Sequence, residues 1–346
     1  MPINVSAAES AVLSNLYRLE EVIERSPSSV IHRAVHKVTH KEYAIKTVDL
    51  SKYAKSTGLG RSEVERELEL CATVKHPHIC ELCDVIAGDN YIHLVFEFLE
   101  GADICFEIVK RAGNGFVYSE AVISHYVRQL LQALDSLHDV GIIHRDIRPH
   151  NIVLASRDNS APLKLCGFGV AVKKTDSKEK ISGGTAVDIW SSGVVLYLLL
   201  SGKLPFAGSA DQVYNDVKSG RYMLTGASWS KISEQARNLV SRMLTVDDGE
   251  RITAKEALQH EWIQCRETVA PRKHLQEVVD NLRRYNQRRE LKSSVLTAVN
   301  AEMWKSHDHN VGVTGSFAES NLVPTAKKNG EVSEGGHPEI LLRASD

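Results

Sequence analysis

The sequence predicts an α+β fold with two lobes: a small, β-rich N-terminal lobe and a larger, mostly helical C-terminal lobe. Short apolar stretches separated by polar breaks, a pattern typical of strands, occupy much of residues 19–48 and 79–96. Long amphipathic stretches, typical of helices, dominate from residue 119 onward. A compact polar motif at 144–151 precedes a short apolar strand within the second lobe. With 346 residues, the chain is long enough for both lobes and an additional tail.

The polar motif reads H-R-D-x-x-x-x-N and is the catalytic-loop pattern of protein kinases. Phosphoryl transfer needs a carboxylate at the substrate hydroxyl, here Asp146, and an amide that reaches a metal on the phosphates, here Asn151. Arg148 replaces the lysine that usually follows the catalytic aspartate, and keeps its charge but not its compact ammonium geometry. A simple turn-capping role for Asp146 is the alternative, which the flanking sequence disfavours. We therefore predict a bilobal protein-kinase fold with Asp146, Arg148 and Asn151 as its catalytic residues.

The small lobe is predicted to hold an adenine nucleotide. Lys46 ends the sequence Tyr-Ala-Ile-Lys and matches the strand lysine that contacts the α- and β-phosphates. A helix is predicted over 62–75 with Ser62 as its N-cap, and Glu67 on it is the expected ion-pair partner of Lys46. The alternative for Glu67 is one more solvated charge beside its acidic neighbours. The remaining ATP-binding residues are the predicted apolar lid and floor, the gatekeeper and the hinge, namely Val30, Ala44, Phe96, Glu97 and Phe98.

Two features that bind phosphate and metal in protein kinases are absent from the sequence. The glycine-rich turn G-x-G-x-x-G is replaced by Glu-Arg-Ser-Pro-Ser-Ser at 24–29, and Glu24 brings a negative charge toward the triphosphate. The metal-binding D-F-G is replaced by Gly167, Phe168 and Gly169, so the principal metal ligand is lost and only Asn151 is left as a weak one. Any ATP binding is therefore expected to be weak and without Mg²⁺. Phe168 can keep a packing role, for which the expected neighbours are Cys71, Leu82 and His144.

The large lobe has its predicted elements in the expected order but a shortened activation segment. Its predicted helices cover residues 119–139, 211–218, 233–244 and 253–259, and a buried central helix begins near Val187. Only residues 170–187 separate Gly169 from Asp188, whereas kinases use about twice that length and include an A-P-E sequence. Arg251 resembles the family arginine that pairs with the glutamate of that sequence, so we expect it to lack its partner. A skipped exon or faulty gene model and a genuine loss are both left open.

A second amphipathic helix is predicted over 275–299 and is strongly basic. A basic helix with spaced apolar anchors is typical of a calmodulin target. A helix docked on the large lobe is the alternative, and the two are compatible. The predicted calmodulin-binding residues are Leu282, Arg283, Arg284, Arg288, Arg289, Lys292 and Leu296.

The composition excludes several other classes of protein. A formal net charge of −2, with 42% hydrophobic and 25% charged residues, gives no general attraction to nucleic acid or to an anionic membrane. The longest apolar run, residues 194–200, is too short to cross a bilayer, and the N-terminus lacks the basic region of a signal peptide. The six cysteines form no zinc or disulfide framework. We therefore expect a cytoplasmic protein without a transmembrane segment and without a nucleic-acid partner.

The run Phe96–Arg111 closely resembles the calcium/calmodulin-dependent-kinase-like domain of the CASK family of membrane-associated guanylate-kinase scaffolds. Residues 115–121, 160–162 and 167–169 share this resemblance, which extends over about residues 16–299. It implies a pseudokinase or a weak kinase that does not need Mg²⁺, and a scaffold role at cell junctions and synapses with protein partners. This chain differs from that family by keeping Asn151, by lacking the first glycines of the phosphate turn, and by lacking the PDZ and guanylate-kinase modules.

The predicted layout has an N-terminal extension, a kinase-like domain of two lobes, a calmodulin-binding or autoinhibitory helix and a disordered tail, over residues 1–15, 16–265 (lobes 16–99 and 100–265), 270–300 and 304–346. Two functions fit it: a non-catalytic, calmodulin-responsive interaction module, and a weak serine/threonine kinase. Phosphoryl transfer depends on positioning and on charge neutralisation. The reductions in transfer rate caused by losing the metal ligand, the phosphate turn and the peptide platform should therefore multiply. The sequence therefore favours the module.

Overall fold

The computed structural model describes the backbone of residues 7–174, 184–226 and 228–307, and the side chains within 12–174, 184–226 and 228–292. The chain divides into two compact units, Met1–Arg283 and Arg284–Asp346. The predicted tail over 304–346 lies almost entirely outside the described residues, as does the side chain of Leu296. No helix among the described residues combines the length and the apolar character needed to cross a membrane.

The N-terminal lobe is an antiparallel sheet with the strand order β1-β2-β3-β5-β4. Its strands are β1 (Tyr17–Arg25), β2 (Ser29–His36), β3 (Glu42–Asp49), β4 (Leu82–Ala87) and β5 (Tyr91–Glu97). The sequence predicts strands at 19–24, 30–35, 43–48, 79–85 and 91–96, and all five are confirmed, although β4 begins three residues later than predicted. The helices of the lobe are α1 (Ala7–Leu16), α2 (Leu50–Thr57) and α3 (Arg61–Thr73).

Each face of this sheet is covered by its own apolar cluster. Leu13 of α1 packs on one face with Tyr17, Ala34, Ile45 and Val95. On the other face, Val64 of α3 packs with Val48, Ile92 and Leu94. Because Lys46 pairs with Leu94 across β3 and β5, the lysine lies on the face that α3 covers.

Helix α3 begins earlier than predicted. Its N-cap is Gly60, whose N–H donates to the carboxylate of Glu63 at 2.8 Å. The hydroxyl of Ser62 donates to the same carboxylate at 2.9 Å instead of capping the helix. The predicted N-cap at Ser62 is therefore wrong, because a glutamate at the third helical position caps the backbone from within the helix.

The C-terminal lobe is mainly helical, and it confirms the predicted helices to within a residue or two. Its core contains the fully buried side chains of Leu131, Leu134 and Leu137. Two small antiparallel sheets pair β6 with β9 and β7 with β8. Its elements are α4 (Ile104–Gly113), α5 (Glu120–Asp139), β6 (Ile142–Ile143), a 3₁₀ turn (Pro149–Asn151), β7 (Ile152–Leu154), β8 (Leu163–Leu165), β9 (Val172–Lys173), α6 (Ala186–Ser201), α7 (Ala210–Ser219), α8 (Glu234–Met243), α9 (Ala254–Leu258), α10 (Glu261–Gln264) and α11 (Arg266–Val269).

Arg251 stabilises the start of α6, directly after the shortened segment. Its guanidinium donates to the carbonyl oxygens of Ala186 at 2.7 Å, Thr245 at 2.8 Å and Val246 at 3.0 Å. It also lies over the ring of Trp190, 4.9 Å from the centroid. Among the described residues Arg251 forms no salt bridge, and backbone carbonyl groups accept its hydrogen bonds in place of the predicted family's glutamate.

The last helix, α12 (Gln276–His307), extends beyond the first unit. Within that unit its apolar face is buried, and Leu282 is fully buried. Asn281 donates from Nδ2 to the carbonyl oxygen of Ser201 at 3.0 Å. Gly202 follows α6 with φ 70°, and a Cβ there would collide with Asn281 and lie 2.8 Å from the carbonyl oxygen of Val278. The first turns of α12 are therefore docked closely on the end of α6.

Candidate active site

Lys46 and Glu67 form an ion pair inside the cleft. Lys46 Nζ lies 2.7 Å from Glu67 Oε1, and the two side chains are only 23% and 10% exposed. Strand β3 supplies the lysine, and α3 presents the glutamate toward it because buried Val64 and Leu70, each three residues from Glu67, turn the same face of the helix to the sheet. The predicted pair is therefore formed, although its role in holding ATP stays a prediction.

Val30, which the sequence predicted as the lid over the adenine ring, lies on the wrong face of the sheet. Val30 pairs with Thr47, whose hydroxyl contacts buried His93 at 2.9 Å on the face opposite Lys46. The next residue, Ile31, pairs with Lys46 and so shares its face. The prediction is wrong by one residue, and because strand side chains alternate, that error moves the side chain to the other face.

The predicted gatekeeper and hinge residues lie along the same side of the cleft. Phe96 pairs with Ala44 across the sheet. The carboxylate of Glu97 accepts from Lys164 Nζ at 2.7 Å and from the N–H of Glu81 at 2.8 Å. Because its side chain is held there, Glu97 can offer a ligand only its backbone. The ring of Phe98 lies under the guanidinium of Arg33, with 5.3 Å between the guanidinium carbon and the ring centroid.

The catalytic loop is held by Asp188, a fully buried carboxylate in the first turn of α6. Asp188 accepts from the N–H of His144 at 2.9 Å and from the N–H of Arg145 at 2.7 Å, and it contacts His138 Nε2 at 2.9 Å. Arg145 has φ 66°, so its strained backbone needs such support. This role of Asp188 was not predicted from the sequence, although an aspartate inside an otherwise apolar helix could have indicated it.

Asp146 is oriented by the residues that the motif places around it. Asn151 donates from Nδ2 to both the carbonyl oxygen and Oδ2 of Asp146, each at 2.7 Å. Arg148 Nε lies 3.3 Å from Asp146 Oδ1, and the N–H of Asp146 donates to His144 Nδ1 at 3.2 Å. The aspartate side chain is still 35% exposed. The three predicted catalytic residues are thus brought together, with Asp146 open to the cleft.

Gly167 is packed against Asn151, which leaves no space for a side chain. Its φ is +87°, and a Cβ there would lie 2.6 Å from Asn151 Cγ. Phe168 next to it keeps an edge-on contact with His144, with 4.9 Å between the ring centroids. This confirms its predicted contact with His144. Among the described residues no group of three or more His, Cys, Asp or Glu side chains could hold a metal ion.

The turn that replaces the glycine-rich loop is closed by its own serines. The N–H of Ser26 donates to the carbonyl oxygen of Ser29 at 2.8 Å, and the N–H of Ser29 donates to Ser26 Oγ at 2.9 Å. These backbone groups are therefore not available to a phosphate. Beneath the turn is a cavity of about 180 Å³ lined by Ser26, Ser28, Ser29, Lys46, Val48, Tyr53, Val64, Glu67 and Gly169.

Glu24, at the position of the first glycine, reaches across the cleft to the catalytic loop. Its Oε2 lies 3.6 Å from His150 Nε2, in a contact that we call the Glu24–His150 bridge. The contact with His150 lowers the pKa of Glu24 despite the opposing effect of desolvation, and the charges of His150, Arg148 and Lys46 lower it further. The Glu24 carboxylate is therefore held ionised at the phosphate end of the cleft.

The predicted calmodulin-binding residues differ in exposure. The anchor Leu282 is fully buried, whereas Arg284, Arg288 and Lys292 are exposed. Arg283 is also exposed and pairs with Asp280 at 2.8 Å. Within the second unit the guanidinium of Arg289 lies over the ring of Tyr285, 5.5 Å from its centroid. Calmodulin would have to undock Leu282 in order to use it.

Comparison with known proteins gives matches over most of the chain. The sequence model of the protein kinase domain matches residues 17–185 and 178–263, two pieces that meet within the shortened segment. The chain is 47% identical over 311 residues to protein lin-2 of Caenorhabditis elegans. The aligned region covers 84% of this chain and 32% of lin-2. Because lin-2 is the nematode CASK orthologue, the predicted resemblance to the CASK family is confirmed.

Two calcium/calmodulin-dependent protein kinases type II are also similar. Identity is 37% over 306 residues to the alpha chain of Drosophila melanogaster, covering 83% of this chain and 56% of that one. It is 36% over 303 residues to the delta subunit of Oryctolagus cuniculus, covering 82% and 55%. The chain thus spans between about a third and somewhat over half the length of these relatives.

Proposed function

The chain belongs to the protein kinase family, and we propose that it acts as a CASK-like, calmodulin-responsive scaffold module that is a pseudokinase or a very weak, Mg²⁺-independent kinase. The observation that carries the proposal is the packing of Gly167 against Asn151. The carboxylate that would hold Mg²⁺ between the phosphates is missing, and the Asn151 carboxamide fills the space where such a side chain would begin.

The chemistry of phosphoryl transfer explains why this loss matters. The enzyme contributes mainly positioning and neutralisation of the charge on the phosphates, and the metal ions supply much of that neutralisation. Here the serine turn has used its own backbone donors, and Gly167 offers no carboxylate to a metal, so neutralisation of the phosphates falls largely to Lys46. ATP is therefore expected to bind weakly and without Mg²⁺, and its γ-phosphate would lack a fixed position.

A second candidate function is that of an ATP-dependent serine/threonine kinase of the calcium/calmodulin-dependent group. The Lys46–Glu67 pair at 2.7 Å and the orientation of Asp146 by Asn151 favour it. In this case Asp146 would accept the proton of the substrate hydroxyl, and Lys46 would hold the phosphates. Two of the relatives carry the names of such kinases.

The proposed partners are calmodulin and scaffold proteins at cell junctions or synapses. The basic side chains on α12 support the first, because calmodulin binds basic amphipathic helices. The similarity to lin-2 supports the second. We propose a cytoplasmic location, with peripheral recruitment to the plasma membrane or to junctions, and no nucleic-acid partner.

A transfer assay tests the proposal. The whole chain is incubated with γ-labelled ATP and basic serine/threonine peptides, once with Mg²⁺ and once with EDTA, and incorporated label is measured. We expect no transfer that requires Mg²⁺, and in EDTA at most a trace above the level of an Asp146→Asn variant. Asp158→Asn, in an exposed turn, is the matched control. Mg²⁺-dependent transfer that Asp146→Asn abolishes and Asp158→Asn preserves would establish the kinase function instead.

A further inference from the structure

The Glu24–His150 bridge places a carboxylate on the cleft face of the sheet, in line with Ile31 and Lys46. Glu24 pairs with Ile31 across β1 and β2, and Ile31 in turn pairs with Lys46 across β2 and β3. Directly paired residues point to the same face of a sheet, so Glu24 lies on the cleft face together with Lys46. His150, in the 3₁₀ turn of the catalytic loop, contacts the carboxylate from the opposite lobe.

The charges around Glu24 do not favour an anionic ligand. Lys46 is paired with Glu67, and Arg148 is paired with Asp146. Each of these two cations is thus already balanced by a carboxylate other than Glu24. The carboxylate of Glu24 adds a further negative charge, which a triphosphate would have to approach without a metal ion to neutralise it.

Apart from Glu24, the described side chains of the cleft face around Ile31 and Ala44 present no uncompensated charge to an uncharged ligand. The small side chain of Ala44 and the apolar side chain of Ile31 lie on the cleft face, and Phe96 is paired with Ala44. The Glu97 carboxylate is neutralised by Lys164, so it adds no free charge at the hinge. An uncharged heteroaromatic ligand would meet apolar surface and backbone groups, which is the usual chemistry of a small-molecule pocket.

We propose that Glu24, held over the cleft by His150, makes the cleft between the lobes selective for uncharged nucleosides such as adenosine over nucleoside triphosphates. The inference rests on the proposal that the cleft does not carry out efficient phosphoryl transfer. It specifies the class of ligand that the cleft binds and the residue, Glu24, that selects it. The bridge itself contributes little to folding, because its two side chains are each about half exposed (49% and 48%). Glu24 can therefore be changed without unfolding the lobe.

The test compares adenosine and ATP as ligands of the whole chain and of a Glu24→Gln variant. Glutamine keeps the length and the hydrogen-bonding capacity of Glu24 and removes only its charge. Glu69→Gln, at an exposed position on α3, is the control for loss of one negative charge far from His150. Isothermal titration with EDTA and with Mg²⁺ gives the four affinities of each protein, and circular dichroism verifies that each is folded.

We expect the unmodified chain to bind adenosine more tightly than ATP. In Glu24→Gln the ATP affinity should rise roughly tenfold while the adenosine affinity changes less than about twofold, since only the charged ligand feels the removed carboxylate. Glu69→Gln should change neither affinity. The proposal is overturned if the unmodified chain binds ATP at least as tightly as adenosine, if it binds neither, or if Glu24→Gln leaves ATP affinity unchanged. Peptide phosphorylation in the transfer assay would overturn the proposed function without altering this order of affinities.

Discussion

The carboxamide of Asn151 lies directly against the backbone of Gly167, so a Cβ at position 167 would sit 2.6 Å from Asn151 Cγ. The same carboxamide donates to the carbonyl oxygen and the carboxylate of Asp146. The same Asn151 side chain therefore occupies the space of the missing metal-binding side chain and orients the catalytic aspartate. Gly167 cannot be given a side chain without displacing the group that holds Asp146.

Replacing Gly167 by alanine should destabilise the protein by about 2–3 kcal/mol, because it combines a positive φ with a collision. Gly115 is a matched control, since it also has φ +87° but has no atom within 4 Å of the position that a Cβ would take. Gly115→Ala should cost only about 1 kcal/mol, the backbone part of the effect. Urea denaturation of the two variants measures the difference, and equal losses of stability would contradict the packing argument.

The chain should gain only a small thermal stabilisation from ATP, and Mg²⁺ should not increase it. Lys46 is the strand cation available to the phosphates, and Gly167 offers no carboxylate to a metal between them. A thermal-shift titration with ATP in EDTA and in Mg²⁺ measures this, with Lys46→Ala as the variant that should lose the remaining shift. A large shift that requires Mg²⁺ would show that another residue supplies the missing ligand.

The sequence predicted those parts of the site in which a residue type and a spacing together determine the chemistry. Lys46 and Glu67 are distant in sequence, yet their 2.7 Å pair follows from the strand-then-helix pattern. Asp146 and Asn151 likewise follow from their spacing in one loop. Val30 was misplaced by one residue, because the G-x-G-x-x-G-x-V pattern begun at Glu24 puts its valine at Ile31, and an error of one residue exchanges the faces of a strand.

Contacts made by backbone groups were not predictable from the sequence in the same way. Arg251 was expected to lack its acidic partner, but three carbonyl oxygens accept its hydrogen bonds. Carbonyl groups are present at every residue, so no residue type marks the ones that will be near. The Glu24–His150 bridge could not be predicted from the sequence either, because it depends on how closely the two lobes approach each other.

Removing the Arg251 guanidinium should destabilise the large lobe, because the carbonyl oxygens of Ala186, Thr245 and Val246 would lose a charged donor. Arg251→Ala should cost about 2–4 kcal/mol, since hydrogen bonds from a charged donor are strong and the cation also covers Trp190. Chemical denaturation gives the loss. Arg221→Ala, at a side chain that is 70% exposed, should change stability by less than about 0.5 kcal/mol. Comparable losses in the two variants would mean that Arg251 is dispensable at the shortened junction.

Calmodulin binding should be limited by the docking of the first turns of α12. Leu282 is an apolar anchor of the predicted target sequence, yet it is fully buried, and Asn281 next to it donates to the carbonyl oxygen of Ser201. Undocking must precede the burial of Leu282 in calmodulin, so its free-energy cost lowers the apparent affinity. A peptide of residues 275–299 should therefore bind Ca²⁺-calmodulin more tightly than the whole chain does.

Three substitutions separate docking from recognition. Asn281→Ala should weaken docking, so it should raise the affinity of the whole chain for calmodulin and leave that of the peptide nearly unchanged. In the peptide, Leu282→Ala should weaken binding more than Arg288→Ala, because burial of an apolar anchor holds the complex while an exposed charge mainly affects encounter. Gln287→Ala, at an exposed position of the same helix, is the control in the whole chain and in the peptide. Isothermal titration with and without Ca²⁺ measures all of these affinities. Binding that does not depend on Ca²⁺, or an Asn281→Ala chain that binds no better than the unmodified one, would leave α12 with a purely structural role.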